Sequence, residues 1–224
     1  MKKLFVIAAL LLAGFTASAQ ANIGAGYMWN FWSHKNGSTK GDTYSMHGVY
    51  AGVSYNIKLV EGLGLAPGAY FLWGEGVTQD SNGKPYKTII GGVTSTTGST
   101  YMGMQVPIHL TYAADLGPGK FFAYLGPAFE YGFSLKTWTR VKGSAEGNIT
   151  SANLYKKDSN GNRNDNPFDV KLGVGFGYNW KFIQANVGFD FGFLNRAKTK
   201  SNADDIGNYK CNANDVHVGI AFVF

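Results

Sequence analysis

The chain has 224 residues, a formal net charge of +6, 31 glycines, 15% aromatic residues and a single cysteine, Cys211. One cysteine excludes an internal disulfide framework, and this much glycine without a collagen period fits strands packed around a narrow interior. The length suits one domain, and the basic balance suits anionic surface polymers or lipid headgroups better than nucleic acid, which an exported protein rarely meets.

Export is read from the first residues. "MKK" is a positive n-region, "LFVIAALLLAGF" an apolar core and "TASAQA" a small-residue exit, so residues 1–19 read as a signal peptide cleaved after Ala17-Ser18-Ala19. The apolar run is short for a helix that needs about 20 residues to span a bilayer. No cysteine follows it, which argues against a lipid-anchored N-terminus. Residues 20–224 form the remaining domain.

Eight runs of period two follow. Residues 22–32 carry Ile23, Ala25, Tyr27, Trp29 and Phe31 on one face, and 45–57 carry Val49, Ala51, Val53, Tyr55 and Ile57. Residues 63–73 carry Leu63, Leu65, Ala69, Phe71 and Trp73, and 101–112 carry Met102, Met104, Val106, Ile108, Leu110 and Tyr112. Residues 121–135 carry Phe121, Ala123, Leu125, Phe129, Tyr131, Phe133 and Leu135. The pattern resumes over 168–180, 183–193 and 216–224. The opposite face is small or polar, with Gly48, Gly52, Gln105, His109, Glu130, Asp169, Lys171, Gly173, Gly175 and Asp190.

Alternation alone does not say which face points inward; a soluble sandwich would bury the apolar one. Aromatic placement decides. Trp29, Phe31, Trp73, Tyr101, Phe133, Phe168 and Phe193 fall at one end of the runs, and Tyr55, Tyr112, Phe121, Tyr178, Trp180, Phe222 and Phe224 at the other. Two aromatic girdles around an aliphatic middle suit a lipid-facing exterior. Hydrocarbon offers no partner to an open edge, so the sheet must close. Short connections at 58–62, 113–120 and 181–182 alternate with long ones at 33–44, 74–100, 138–167 and 194–215. The reading is an all-β, eight-stranded antiparallel up-and-down transmembrane barrel with both termini periplasmic and four long external loops.

Pro67, Pro107 and Pro127 interrupt these runs. Proline donates no ladder hydrogen bond, so a β-bulge or lumenal water is expected at their level.

The stretches "YMGMQVPIHLTY", "FFAYLGPAFEYGFSL", "FDVKLGVGFGYNW" and "VGFDFGFLN" together resemble the outer-membrane β-barrel family of Bacteroidetes sometimes called PorT-like, similar to small OmpA/OmpX-like barrels. The resemblance covers residues 23–224 and implies an eight-stranded outer-membrane barrel without implying a single activity. It also implies that Phe224 is a signal read by the barrel assembly machinery.

Candidate chemistry is sparse. Glu130, Asp169, Lys171 and Asp190, with His109 and Gln105, are predicted to face the lumen as a paired polar network or an ion path. Asp158, Asn160 and Asn162 alternate as calcium ligands do, but Arg163 stands where an EF-hand loop needs glycine and Asp169 where it needs glutamate. Ser33, His34, Asp42 and His47 gather near the first external loop without a recognisable catalytic spacing, and the histidines at 34, 47, 109 and 217 lack metal-ligand spacing. The expectation is a monomeric, cofactor-free, non-enzymatic surface protein in the outer-membrane lipid, its external ligand unknown. A narrow channel and a lipid-modifying enzyme are the alternatives.

Overall fold

The computed structural model describes residues 19–85, 87–90, 92–142, 147–150, 153–157, 165–197 and 209–224. The signal-peptide reading lies outside them, apart from the backbone of Ala19, as does most of the candidate calcium loop. The strands are β1 (Ala19–Asn36), β2 (Thr39–Val60), β3 (Leu63–Gln79), β4 (Lys87–Ile90), β5 (Val93–Leu116), β6 (Gly119–Lys142), β7 (Gly147–Thr150), β8 (Phe168–Trp180), β9 (Ile183–Gly192) and β10 (Tyr209–Val223).

Eight of them close a ring in the order β5-β3-β2-β1-β10-β9-β8-β6, and β6 returns to β5. Every seam is antiparallel, including that between first and last strands, from Asn22↔Val223 to Asn36↔Tyr209. The short strands β4 and β7 lie outside the ring, paired to the far ends of β5 and β6.

Alternation puts the apolar face outside. Ile23, Val49, Phe71, Leu110, Leu125, Phe176 and Ile220 are all exposed, whereas Met28, Met46, Tyr50 and Leu72 are buried within the ring. An apolar band facing outward is unstable in water and stable in hydrocarbon. The turns at one end are tight: Glu61-Gly62, Gly117-Pro118 and Lys181-Phe182. Gly62, Gly117 and Lys181 have positive φ of 75°, 60° and 53° there, the backbone that two-residue hairpins demand. The described N-terminal strand end and Phe224 sit at this same end, joined by Ala21–Phe224 backbone hydrogen bonds.

At the other end the walls run far past what crossing a bilayer requires. β5 and β6 have 24 residues each, against about 9–11 for a tilted membrane strand. Much of what the sequence shows as long loop is therefore strand. The connection at 33–44 is a hairpin whose turn is only Gly37-Ser38, and the one at 194–215 yields its last part to β10.

Two expectations fail at particular residues. No bulge sits at the prolines. The β3–β5 register is the same on either side of Pro67, and the β5–β6 register on either side of Pro107; each ladder drops two pairs and resumes. The bulge instead falls between Gly132 and Ser134, opposite Met102/Gly103. One extra residue reverses the parity beyond it, so Leu135, read as outward, is fully buried.

Candidate functional site

The interior has three levels. The loop end is stoppered. Trp32, Tyr101, Leu135 and Tyr155 close around Arg196, each 5% exposed or less. The guanidinium lies 4.3 Å from the Trp32 ring centroid and 5.8 Å from those of Tyr101 and Tyr155. Its Nη2 donates to the Tyr155 hydroxyl at 2.8 Å and to the Pro167 carbonyl at 3.4 Å.

Beneath lies the charged level. Arg196 Nη1 bonds Glu130 Oε1 at 2.8 Å and stands 3.8 Å from Asp169 Oδ2. Lys171 Nζ reaches Glu130 Oε2 at 2.6 Å and pairs with Asp215. The Tyr101 hydroxyl donates to Glu130 Oε1 at 2.6 Å. Asp169 Oδ1 accepts the backbone N–H groups of Val170 at 2.8 Å and Leu194 at 3.2 Å. Glu130 is thus held by two cations and a hydroxyl, the arrangement that lets a buried carboxylate stay ionised.

The third level is a cavity of about 110 Å³ running toward the tight turns. Asp190, Asp215, Gln105, His109 and His217 stand at its deep end, and Asn56, Thr111 and Gln184 line it nearer the turns. Gln105 Nε2 donates to Asp190 Oδ2 at 3.0 Å, and His217 Nδ1 is 3.6 Å from the same oxygen. Tyr124 shares a 2.8 Å hydrogen bond with His217 Nε2 and stacks on His109 at 4.7 Å. It fits only because Gly175 and Gly188 face it: a Cβ on either would overlap the phenol.

The six sequence-read lumenal residues, Gln105, His109, Glu130, Asp169, Lys171 and Asp190, all lie inside the ring. Of the girdle residues, Trp29, Trp73, Phe133 and Phe193 are exposed on the outer wall at the loop end, where Phe31 is half-buried. Tyr112, Phe121, Trp180, Phe222 and Phe224 are exposed toward the turn end, with Tyr55 and Tyr178 half-buried there. Tyr101 is a correction: it is fully buried and bonded to Glu130, because Met102 and Met104 take the outward positions of its strand.

Sequence reading missed Arg196, Tyr155 and Asp215. Arg196, grouped there with the basic residues of solvated loops, is the best-buried cation near the stopper. Its segment has no alternation to follow, and only its position beyond the "GFDFGFLN" strand hints at a return into the lumen.

Ser33, His34, Asp42 and His47 do not converge. His34 is buried and its Nδ1 meets the Asp42 carbonyl at 3.0 Å, whereas His47 points outward to Tyr27 and stacks on Trp29. Among the described residues no group of three or more His, Cys, Asp or Glu side chains is placed to hold a metal ion.

Two titrating groups lie above the outer aromatic level. Burial pushes the Cys211 thiol up to about 12, Asp165 adding to the shift and Arg196 opposing it. Burial likewise raises the Asp165 carboxyl to about 6 against the pull of Arg196.

Among known folds the chain is similar to a major outer membrane protein from Thermus thermophilus, at 14% identity and a TM-score of 0.44 over 92% of this chain and 100% of that one. It is also similar to Ail, the attachment invasion locus protein of Yersinia pestis, at 10% identity and 0.39 over 92% and 99%. Neisserial surface protein A (NspA) gives 11% and 0.37 over 92% and 97%. No curated protein matches the chain in sequence. The family model described as "Outer membrane protein beta-barrel domain" matches residues 11–195, and the chain, whose closed ring and outward apolar wall are those of such a domain, belongs to that family.

Proposed function

We propose that this outer-membrane barrel is a non-enzymatic, non-conducting surface protein that meets its surroundings through the strand extensions and loops of its stoppered end. The family implies the outer-membrane location. In this reading the tight turns and both termini face the periplasm, residues 1–19 are removed on export, and the chain is a monomer of the PorT-like, OmpA/OmpX-like kind. The aromatic residues at the two ends of the wall rest at the two membrane surfaces.

The stopper is the observation that carries the proposal. Trp32, Tyr101, Leu135, Tyr155 and Arg196 fill the cross-section at the loop end, and Arg196 is fixed by an ion pair and by rings around it. An ion entering from the turn end meets a closed wall. Planar-bilayer recording of the refolded protein tests this: silent membranes are expected, and discrete unit currents would overturn it. The cavity reaching Asp190 and Asp215 favours a narrow channel as the second reading, and the same recording separates the two. A lipid-modifying enzyme would show as altered lipid A in mass spectra after overexpression.

A further inference from the structure

Three lysines meet on the outer wall beyond the aromatic level of the loop end. Lys40 of β2 stands directly opposite Lys35 of β1, and Lys35 directly opposite Lys210 of β10. All three are exposed, and none forms an ion pair with a described residue.

Their common direction follows from the ladder. His34 and Cys211, the neighbours of Lys35 and Lys210, are a buried pair in the β1–β10 register, so alternation turns both lysines outward, as it does Trp29. On β2 a bulge intervenes: between Ser33↔Thr43 and Lys35↔Lys40 that strand spends one residue more than β1. Without the bulge Gly41 would face Lys35. With it, Lys40 does.

Like charges placed directly opposite one another in a ladder cost about 0.2–1 kcal/mol per pair. The fold therefore builds a self-repelling cluster on three adjacent strands, and an anion between the lysines would relieve it. Its position selects the anion. Below the lysines the outward wall carries Ser33, Thr43, Ser45, Asn212 and Asn214, and below these Trp29, Phe31 and Val216. That sequence of chemistries, apolar to hydrogen-bonding to cationic, matches a lipid from acyl chain through linkage to charged headgroup. Four residues of tilted strand beyond Phe31 amount to about 10 Å, which is headgroup depth. The hairpin tip, Gly37-Ser38, carries no charge, so a partner arriving from solution would meet a neutral surface first.

We propose that Lys35, Lys40 and Lys210 form a site for the phosphate of a lipid headgroup in the leaflet surrounding this end of the barrel. Ammonium groups bind phosphate as point charges, so three converging ones suit a phosphomonoester. The site rests on the proposed membrane orientation only for which leaflet supplies the lipid.

The test compares wild type with the variant Lys35→Gln/Lys40→Gln/Lys210→Gln, refolded in dodecyl maltoside, by the midpoint of heat unfolding on cold SDS gels. Adding phosphatidic acid is expected to raise the wild-type midpoint by about 3–6 °C and the variant's by much less, with the difference shrinking as salt rises. Equal shifts in the two proteins would overturn the site. An equal shift from inorganic phosphate would overturn the lipid as its source. If the triple variant does not refold, Lys35→Gln, which removes the central charge, serves in its place with the same outcomes. Labelling of Ser38→Cys on whole cells by an impermeant maleimide reports orientation separately, so a failed orientation is not confused with a failed site.

Discussion

Replacing Arg196 by methionine removes the stopper's cation while keeping most of its length. Four contacts go: the 2.8 Å pair with Glu130, the weaker 3.8 Å approach to Asp169, the 2.8 Å bond to Tyr155 and the stack over Trp32. Breaking one side of a buried pair costs about 3–5 kcal/mol because the remaining charge is left uncompensated. Glu130 retains Lys171 at 2.6 Å and the Tyr101 hydroxyl at 2.6 Å, and Asp169 retains two backbone donors. The lower part of that range, about 3 kcal/mol, is therefore expected. Urea unfolding in lipid vesicles, followed by tryptophan fluorescence with Trp32 as the nearest reporter, measures it. Adding Glu130→Gln should recover at least about 1 kcal/mol of the summed single costs, since the two charges are coupled. A loss below about 1 kcal/mol for Arg196→Met, with additive behaviour in the double variant, would refute the view that the stopper is held by this pair.

Two further tests concern groups above the membrane level. With its thiol buried and pushed up to about 12, Cys211 should be silent to maleimide at pH 8 in the folded barrel and react fully after boiling in SDS; prompt labelling of the folded protein would contradict its placement. The Asp165 carboxyl, raised to about 6, binds its proton more tightly folded than unfolded, so this residue's contribution to stability is full below about 4 and falls as pH rises to about 6. Asp165→Asn should flatten that decline in urea midpoints measured across pH 4 to 7, and an unchanged slope would remove Asp165 as its cause.

The barrel was legible because its walls obey one parity rule over many residues, and greasy-out with glycine-and-polar-in survives small local errors. Glu130, Asp169, Lys171 and Asp190 came from that rule directly. Leu135 did not, since a single extra residue at the Gly132–Ser134 bulge inverts everything beyond it and no composition marks the spot. Tyr101 shows the opposite fault: parity within its own strand points it inward, and only its nearness to a strand end suggested a girdle. Arg196 and Tyr155 come from segments outside the ring strands, where neither period nor pairing constrains a side chain. Their placement depends on a buried negative site waiting at Glu130, a fact of three dimensions. The lysine cluster lies between these extremes: each residue is plain in the sequence, but their alignment needs two registers and one bulge.

The seam between β1 and β10 has a kinetic consequence. Its partners are separated by nearly the whole chain, so this closure is the costliest loop to form and cannot lead the folding reaction. Until β10 docks, β1 and β9 present bare hydrogen-bonding edges within an otherwise finished wall, the state most prone to pairing with a neighbouring molecule. Insertion and cyclisation are thereby tied together, and a chain halted before its final strand would be a template for aggregation rather than a smaller barrel.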